Sequence, residues 1–167
     1  MWNRVSGLFG GLPAQKSVAR KLVELGLRIR EDGKICCGDV EVKDASLAQS
    51  AGVDRRMVRR TIAGIRSDPY LNKIFSHIQP AGSLLREVAP MLGFGVVEIE
   101  ADARRGGIVA AATQLLAEKR IRIRQVYAKD PELFENPTLL IITERKIPGA
   151  LLNRFPQIKG VKKVSIY

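Results

Sequence analysis

Apolar side chains recur at helical spacing early in the chain and then give way to short alternating segments. An apolar stripe predicts a helix that Pro13 opens and that stops at Gly26. Three short segments with turn residues between them follow, at residues 27–30, 34–37 and 40–42. Because strands of this length alternate with turn residues in antiparallel sheets, these segments predict one or two β-hairpins.

Beyond residue 93 the segments become longer. Four of them predict strands: two that alternate, at residues 94–100 and 121–128, an apolar one at 138–143 and a last one at 161–167. Two further segments predict helices, at residues 108–118 and 147–155. The order β-α-β-β-α-β is that of a ferredoxin-like unit, in which two helices cover one face of a four-stranded sheet. The sequence therefore predicts an α+β fold.

The change of pattern predicts two domains, at residues 1–79 and 94–167, joined by residues 80–93. Four apolar residues of the joining segment recur at helical spacing: Leu84, Leu85, Val88 and Met91. They predict a linker helix that Ser83 caps and that packs on one domain, rather than a loose tether.

Residues 44–63 carry the most informative local pattern. Two short helical segments flank Gly52, which supplies the backbone freedom of a tight turn, and Asp54 is placed to cap the second segment. Seven apolar residues form a seam between the two segments: Leu47, Ala48, Ala51, Val53, Met57, Val58 and Ile62. The pattern resembles a helix-turn-helix, the unit that places its second helix in the DNA major groove.

Four arginines lie opposite that seam: Arg55, Arg56, Arg59 and Arg60. Like charges at helical spacing repel one another, and a polyanion relieves the repulsion. The guanidinium fork suits both phosphate and guanine edges, so we expect these residues to face double-stranded DNA. Arg55 and Arg56, nearest the helix start, are placed for bases, and Arg59 and Arg60 for phosphates. The alternative is a helical hairpin with a solvated basic face.

Composition agrees with a nucleic-acid partner. Lys and Arg number 28 against 17 Asp and Glu, and the net charge is +11. Aromatic residues make up only 5%, which argues against the stacking platforms of proteins that bind single-stranded RNA. We expect no membrane span and no signal peptide, hence a cytoplasmic protein whose first residues form a flexible or docking arm carrying Trp2 and Phe9.

Residues with catalytic or metal-binding chemistry are few. Cys36 and Cys37 are adjacent, which disfavours an ordinary disulfide, and His77 is the only histidine. We interpret the cysteines as buried or edge-strand thiols in a reducing compartment. Neither a P-loop nor a zinc-ligand spacing occurs. The sequence therefore predicts no catalytic residues, no metal and no cofactor, and a protein that is not an enzyme.

The stretch from Gly95 to Tyr167 resembles an ACT domain, the small-molecule-sensing module of amino-acid metabolism. The resemblance rests on the β-α-β-β-α-β order, the glycine-containing turn at residues 105–109, the phrase LAEKRIRI at 116–123 and the closing pattern IKGVKKV at 158–164. With the helix-turn-helix before it, the whole chain resembles archaeal proteins described as predicted regulators of amino-acid metabolism.

The resemblance implies that an effector amino acid binds at an interface between paired domains, held by the turn after the first strand of this domain and by the start of its second strand. Gly107 matches the turn glycine and Ile108 the apolar residue after it, while Arg104 and Arg105 would add positive charge. Two residues depart from the pattern: Gly106 replaces a common Pro, and Arg122 replaces a common Asn.

Because a cation at residue 122 repels an ammonium group, three alternatives stay open for the turn. The ligand is more acidic than a plain amino acid, or binds elsewhere, or the domain only dimerises.

Two functions are therefore compatible with the sequence. The first is a DNA-binding transcriptional regulator that senses an amino acid or a related anion and forms a homodimer or larger assembly through its second domain. The second is a regulatory or scaffolding subunit that binds an enzyme of amino-acid metabolism without binding DNA. Affinity for DNA falls steeply with salt, so the salt dependence of binding distinguishes the two.

Overall fold

A computed structural model describes residues 2–102 and 104–167. The chain forms two compact units, one that ends at Gly82 and a second that spans Ser83–Tyr167. Both mix helices with antiparallel strands, which confirms the predicted α+β fold.

Over its described residues, the first unit combines five helices with a small sheet. The helices are α1 (Trp2–Gly7), α2 (Pro13–Glu24), α3 (Asp44–Ala51), α4 (Arg55–Ser67) and α5 (Pro69–Phe75). The strands β1 (Arg28–Ile29), β2 (Ile35–Cys37) and β3 (Val40–Val42) form an antiparallel sheet in the order β1-β2-β3. The prediction of one or two hairpins is therefore confirmed, with two present. Gly26, with a φ of 65°, follows α2 and turns the chain toward β1.

The prediction of a flexible or docking arm at the start of the chain is wrong. Trp2, Val5 and Phe9 are all buried, with exposed fractions of 4%, 0% and 4%. The first two lie on one face of α1, and Phe9 follows just after it. A fully buried side chain of this size contributes about 1.5–3 kcal/mol, so these residues hold the first turns on the unit.

The second unit is a ferredoxin-like sheet with helices on one face. Its strands are β4 (Gly95–Ala101), β5 (Ile123–Ala128), β6 (Thr138–Thr143) and β7 (Val161–Ile166), all antiparallel and in the order β5-β6-β4-β7. The helices are α6 (Ile108–Glu118) and α7 (Gly149–Leu152). Val97 and Ile99, alternate residues of β4, lie in one buried cluster with Leu116 of α6, which agrees with the alternation predicted for this strand.

α7 is shorter than the predicted helix at 147–155. After Leu152 the chain makes a 3₁₀ turn, Phe155–Gln157. Pro156 has no amide hydrogen to donate to the carbonyl group of Leu152, so a regular helix cannot continue through it.

The predicted linker helix over residues 80–93 is also wrong. One helical turn forms, in which the Ala89 amide donates to the Leu85 carbonyl over 2.9 Å, and a 3₁₀ turn at Pro90–Leu92 follows. Pro90 prevents further α-helix because it cannot donate to the carbonyl group four residues before it. We call residues 83–93 the strap, because they lie on the helix-free face of the sheet in the second unit.

The strap is fastened to this sheet by apolar and polar contacts. Ala89 is buried in a cluster with Val96 and Ile142, on the face away from α6 and α7. The side chain of Gln125, in β5, forms two hydrogen bonds to the strap backbone. Its Nε2 donates to the Ser83 carbonyl over 2.7 Å, and its Oε1 accepts from the Leu85 amide over 3.1 Å. Of the stripe predicted to be helical, only Leu85 packs against this sheet, and Leu84, Val88 and Met91 are exposed.

Candidate functional site

The turn between α3 and α4 has the predicted helix-turn-helix construction. Gly52 ends α3 with a φ of 66°, a conformation that glycine adopts without strain. The Val53 amide donates to the Ala48 carbonyl over 3.0 Å, which closes the turn. Asp54 caps α4, and its carboxylate accepts from the Met57 amide over 2.8 Å.

The predicted seam joins α3 and α4. Four of its residues are buried, namely Leu47, Ala48, Val58 and Ile62, and the other three, Ala51, Val53 and Met57, are half-buried.

The buried stripe of α4 determines where its arginines point. Its buried residues are Val58, Thr61, Ile62 and Ile65. At about 100° per residue, Arg56 and Arg60 lie nearly opposite this stripe, and both are exposed. Neither forms an ion pair with any residue that the structure describes. These two arginines therefore form the outer face of the helix.

Arg55 and Arg59 lie on the flank of α4 and share one acidic partner. The Nε of Arg59 lies 3.0 Å from Oδ2 of Asp44, at the start of α3, and the Nε of Arg55 lies 3.9 Å from the same oxygen. Both arginine side chains remain 61% exposed. The four arginines predicted as one set thus divide into two unpaired residues and two paired ones.

Small side chains continue the outer face of α4 beyond the arginines. Ala63, Gly64 and Ser67 are all exposed, and they follow Arg60 by three, four and seven residues, the spacing of one helix face. Such residues allow a close approach of another surface to the helix backbone. Sequence reasoning missed them, although the helical period counted from Arg56 would have found them.

The predicted effector turn borders a pocket of about 590 Å³ in the second unit. Four of the six predicted residues line it: Arg105, Gly106, Gly107 and Ile108. The walls are mostly apolar, with Ile99, Ala101, Pro131, Pro137 and Leu139 among them. A pocket of this size and character is typical of small-molecule sites.

Positive charge and free amides lie at one side of this pocket. Gly107, with a φ of 90°, precedes α6 and offers no side-chain cap, and the first turn of α6 contains no acidic residue. The positive end of the helix dipole is therefore open to an anion. Arg105 and Lys129 also line the pocket and add two cations.

Asp102 brings one carboxylate to the same pocket, and sequence reasoning missed it. Its Oδ1 accepts from the Arg104 amide over 3.1 Å, so it folds the turn between β4 and α6. The remaining lone pairs suit an ammonium group. An acidic residue directly after a predicted strand and before the glycine turn is the signal that would have found it.

Gly160 makes room for Arg105. Its φ is 98°, and a Cβ placed there would lie 2.6 Å from the Cδ of Arg105. The amide of Asp102 also donates to the Gly160 carbonyl over 2.9 Å. The loop before β7 thereby supports the turn that carries the arginine.

Arg104 and Arg122 do not line the pocket. Arg122 is held by Glu144: its Nε lies 2.6 Å from Oε2, and its backbone amide donates to Oε1 over 3.3 Å. These hydrogen bonds from Arg122 hold the pKa of the Glu144 carboxyl below its usual range. The pair lies at the end of the sheet where β5 begins and β6 ends, whereas the pocket lies where β5 ends and β6 begins.

The two cysteines do not form a joint site. They are consecutive residues of β2, so their side chains point to opposite faces of the small sheet, and Cys36 is buried while Cys37 is partly exposed. Within residues 2–102 and 104–167, no group of three or more His, Cys, Asp or Glu side chains is placed to hold a metal ion. Over the same residues, no helix has both the length and the apolar character needed to cross a membrane.

No protein-family model matches the chain, and no curated protein matches it in sequence. Solved structures that resemble it include the ACT domain of GTP pyrophosphokinase from Chlorobium tepidum, at 14% identity over 44% of this chain and 96% of that chain, with a TM-score of 0.36. An AsnC family transcriptional regulator from Agrobacterium tumefaciens is 15% identical over 92% of this chain and 86% of that chain, with a TM-score of 0.30. The fold assignment rests on the strand order and helices of this chain itself.

Proposed function

We propose that this protein is a DNA-binding regulator, not an enzyme, whose second unit senses an amino acid or a related small anion. The outer face of α4 carries the proposal. Arg56 and Arg60 are one helical turn apart, exposed and without an acidic partner among the described residues. Their mutual repulsion costs a few tenths of a kcal/mol, which DNA phosphates relieve.

In this proposal Arg56 contacts bases and Arg60 contacts phosphates. Arg56 is the second residue of α4, and residues near the start of a recognition helix reach base edges. Arg55 and Arg59 have a different role, because Asp44 draws both toward α3. They link the two helices and add to the positive field without being the main contacts.

The pocket after β4 suits a ligand with both signs of charge. A carboxylate fits the open start of α6 beside Arg105, and an ammonium group fits Asp102. The apolar walls accept an aliphatic or aromatic side chain. An α-amino acid has all three parts, and Asp102 supplies the acceptor that Arg122 cannot.

We also propose that the second unit forms a homodimer or a larger assembly. β5 and β7 are edge strands of its sheet, and β5 exposes Ile123 and Val126 by 37% and 43%. Exposed edges with apolar side chains favour pairing with another sheet. Sedimentation of the full chain at micromolar concentration tests this, and a monomer would contradict it.

The DNA-binding proposal is tested by fluorescence anisotropy with a random-sequence duplex of about thirty base pairs, over salt from about 50 to about 200 mM. The variant Arg56→Gln, Arg60→Gln removes the two outer cations. Loss of the phosphate contact of Arg60 should lower the slope of log K against log salt by about 0.9.

The matched control is Lys16→Gln, Lys73→Gln, which removes two exposed cations from other helices of the same unit. Its affinity should fall only through the change in net charge. Equal losses in the two variants, or no binding by the natural protein, would overturn DNA binding through α4. The second case would favour a subunit that docks on a metabolic enzyme.

A further inference from the structure

Positive charge in the second unit is concentrated at one end of its sheet. The unit contains fourteen Lys and Arg and nine Asp and Glu, an excess of five. Residues 118–124 and 144–146 alone hold six cations and two carboxylates, an excess of four. We call these six the end patch: Lys119, Arg120, Arg122, Arg124, Arg145 and Lys146. The rest of the unit is nearly neutral.

Backbone contacts bring the two segments of the end patch together. The Glu144 amide donates to the Arg122 carbonyl over 3.0 Å, and Nη2 of Arg145 donates to the Lys119 carbonyl over 3.4 Å. Ile123 of β5 pairs with Thr143 of β6 directly beside them. The loop after α6 and the loop after β6 therefore form one surface.

Few acidic side chains balance this surface. Glu144 is occupied by Arg122, and Glu118 binds Arg154, which lies outside the patch. Within the described residues, no carboxylate pairs with Lys119, Arg120, Arg124, Arg145 or Lys146. Arg124 instead stacks over the ring of Phe94, with its Cζ 4.6 Å from the ring centre. Five of the six cations are thus available to an outside anion.

Arg120 occupies a backbone position that favours glycine. Its φ is 52°, and among the described residues it is the only non-glycine residue with a positive φ. Two hydrogen bonds close the end of α6 around this residue. The Ile121 amide donates to the Leu116 carbonyl over 3.0 Å, and the Arg120 amide donates to the Ala117 carbonyl over 2.9 Å. This helix ending usually has glycine at the left-handed position, as α3 has at Gly52.

An arginine at that position therefore stabilises the fold less than glycine would. Residues kept in unfavourable backbone conformations often serve a function that the preferred residue cannot supply. Here the only property that Arg120 adds at an exposed position is a cation within the end patch.

We propose that the end patch binds the phosphate backbone of nucleic acid. Four of its six residues are arginines, whose planar fork binds phosphate oxygens in pairs. A duplex offers phosphates at regular spacing to several of them at once. This surface lies at the opposite end of the sheet from the pocket and belongs to the unit without α4. The proposal therefore goes beyond the proposed function and stands independently of α4.

The experiment compares two variants of the full chain that each lose three cations. Lys119→Gln, Arg120→Gly, Lys146→Gln changes the end patch, and Lys159→Gln, Lys162→Gln, Lys163→Gln changes exposed lysines in and just before β7. The probe is a random-sequence duplex of about thirty base pairs, titrated at several salt concentrations. The end-patch variant should lower the slope of log K against log salt by up to about 2.7, and the β7 variant by much less.

Single substitutions at Arg120 separate charge from folding. Arg120→Gly removes the cation and the backbone strain, so it should raise Tm by a few degrees while weakening DNA binding. Arg120→Lys keeps the cation and should bind DNA like the natural protein. Loss of binding together with a gain in stability cannot result from misfolding.

Three outcomes would overturn the proposal: equal slopes for the end-patch and β7 variants, unchanged DNA affinity in Arg120→Gly, or binding of poly-glutamate as tight as binding of DNA. The last would indicate an acidic protein partner. The α4 variant tested in parallel keeps the two proposals separate. If only that variant loses affinity, DNA binding through α4 stands and the end patch fails, and the reverse result has the opposite meaning.

Discussion

At the scale of single residues, acidic side chains determine which arginines are available to a partner. Asp44 engages Arg59 and Arg55, and Glu144 engages Arg122, while Arg56 and Arg60 form no ion pair with any described residue. An exposed ion pair contributes little to stability, about 0–1 kcal/mol. Its larger effect here is to set where each cation points.

Replacing Asp44 should therefore strengthen DNA binding. In Asp44→Asn the guanidinium groups of Arg55 and Arg59 lose their common partner, and one negative charge leaves the surface around α4. We expect a several-fold gain in affinity for a random-sequence duplex and a loss of stability of at most about 1 kcal/mol. Anisotropy titrations and denaturant unfolding measure the two quantities.

The control for this substitution is Glu31→Gln, which removes an exposed carboxylate of the same unit that pairs with no arginine side chain of the described chain. A gain as large in the control as in Asp44→Asn would mean that net charge alone is responsible.

Glu98 should make the stability of the second unit depend on pH. Burial alone would raise the pKa of its carboxyl, but a hydrogen bond from Thr138 (2.9 Å), the charge of Arg86 (2.9 Å) and a bond from Tyr167 outweigh burial and lower the pKa. A carboxyl whose pKa is lower in the folded state stabilises the fold above its unfolded pKa of about 4.3. That contribution is lost as pH falls through the folded pKa.

Unfolding by urea from about pH 6 to about pH 3 measures this effect. The natural protein should lose stability over the lower part of the range, and Glu98→Gln should lose less. Glu100→Gln is the matched control, because it removes a carboxylate from the same face of β4. An identical pH profile in Glu98→Gln and the natural protein would contradict the assignment.

Residues with local roles could be predicted from the sequence, and residues with distant partners could not. Gly52 and Asp54 act through the backbone next to them, so their roles follow from neighbouring residues alone. The division of the α4 arginines depends on Asp44, which reaches them only after two helices pack. Asp102 lines the pocket only because the turn between β4 and α6 places it beside the residues of the other pocket walls.

At the scale of elements, the strand patterns predicted the four strands of the second unit, whereas helical periodicity predicted a helix in the strap that does not form. Period-two alternation in β4 matches the two faces of the sheet, whereas β6 is apolar along its length and is buried on both faces. The strap has apolar residues at helical spacing, but Pro90 breaks the helix and the sheet face offers a better partner for Leu85 and Ala89. Packing on the sheet therefore outweighed the local preference of these residues for a helix.

Gln125 should control the attachment of the strap. Gln125→Ala removes both hydrogen bonds to the backbone at Ser83 and Leu85, each contributing about 0.5–1.5 kcal/mol. We expect faster hydrogen exchange at the Leu85 amide and a modest loss of stability. The exposed Gln114 of α6 provides a control, Gln114→Ala. If the Leu85 amide exchanges at the same rate in all three proteins, Gln125 does not hold the strap.

At the scale of the whole molecule, α4 and the ligand pocket lie in two separate units, so the protein acts as a switch only if effector and DNA influence one another. Ligand binding must first be detected. A ligand at about 100 times its Kd stabilises its binding unit by about 2.7 kcal/mol, so a thermal-shift screen of the twenty amino acids identifies the effector. Arg105→Gln should abolish the shift, and Lys163→Gln should preserve it.

Coupling between the two units must then be reciprocal. If the effector changes the affinity for DNA by some factor, DNA must change the affinity for the effector by the same factor, because both describe one free energy. Calorimetric titration of the effector with and without a saturating duplex measures one side, and anisotropy with and without effector measures the other. We expect the two factors to be equal, and we expect Arg105→Gln to remove both effects. Identical effector affinities with and without DNA would leave the second unit a ligand-binding unit that does not regulate DNA binding.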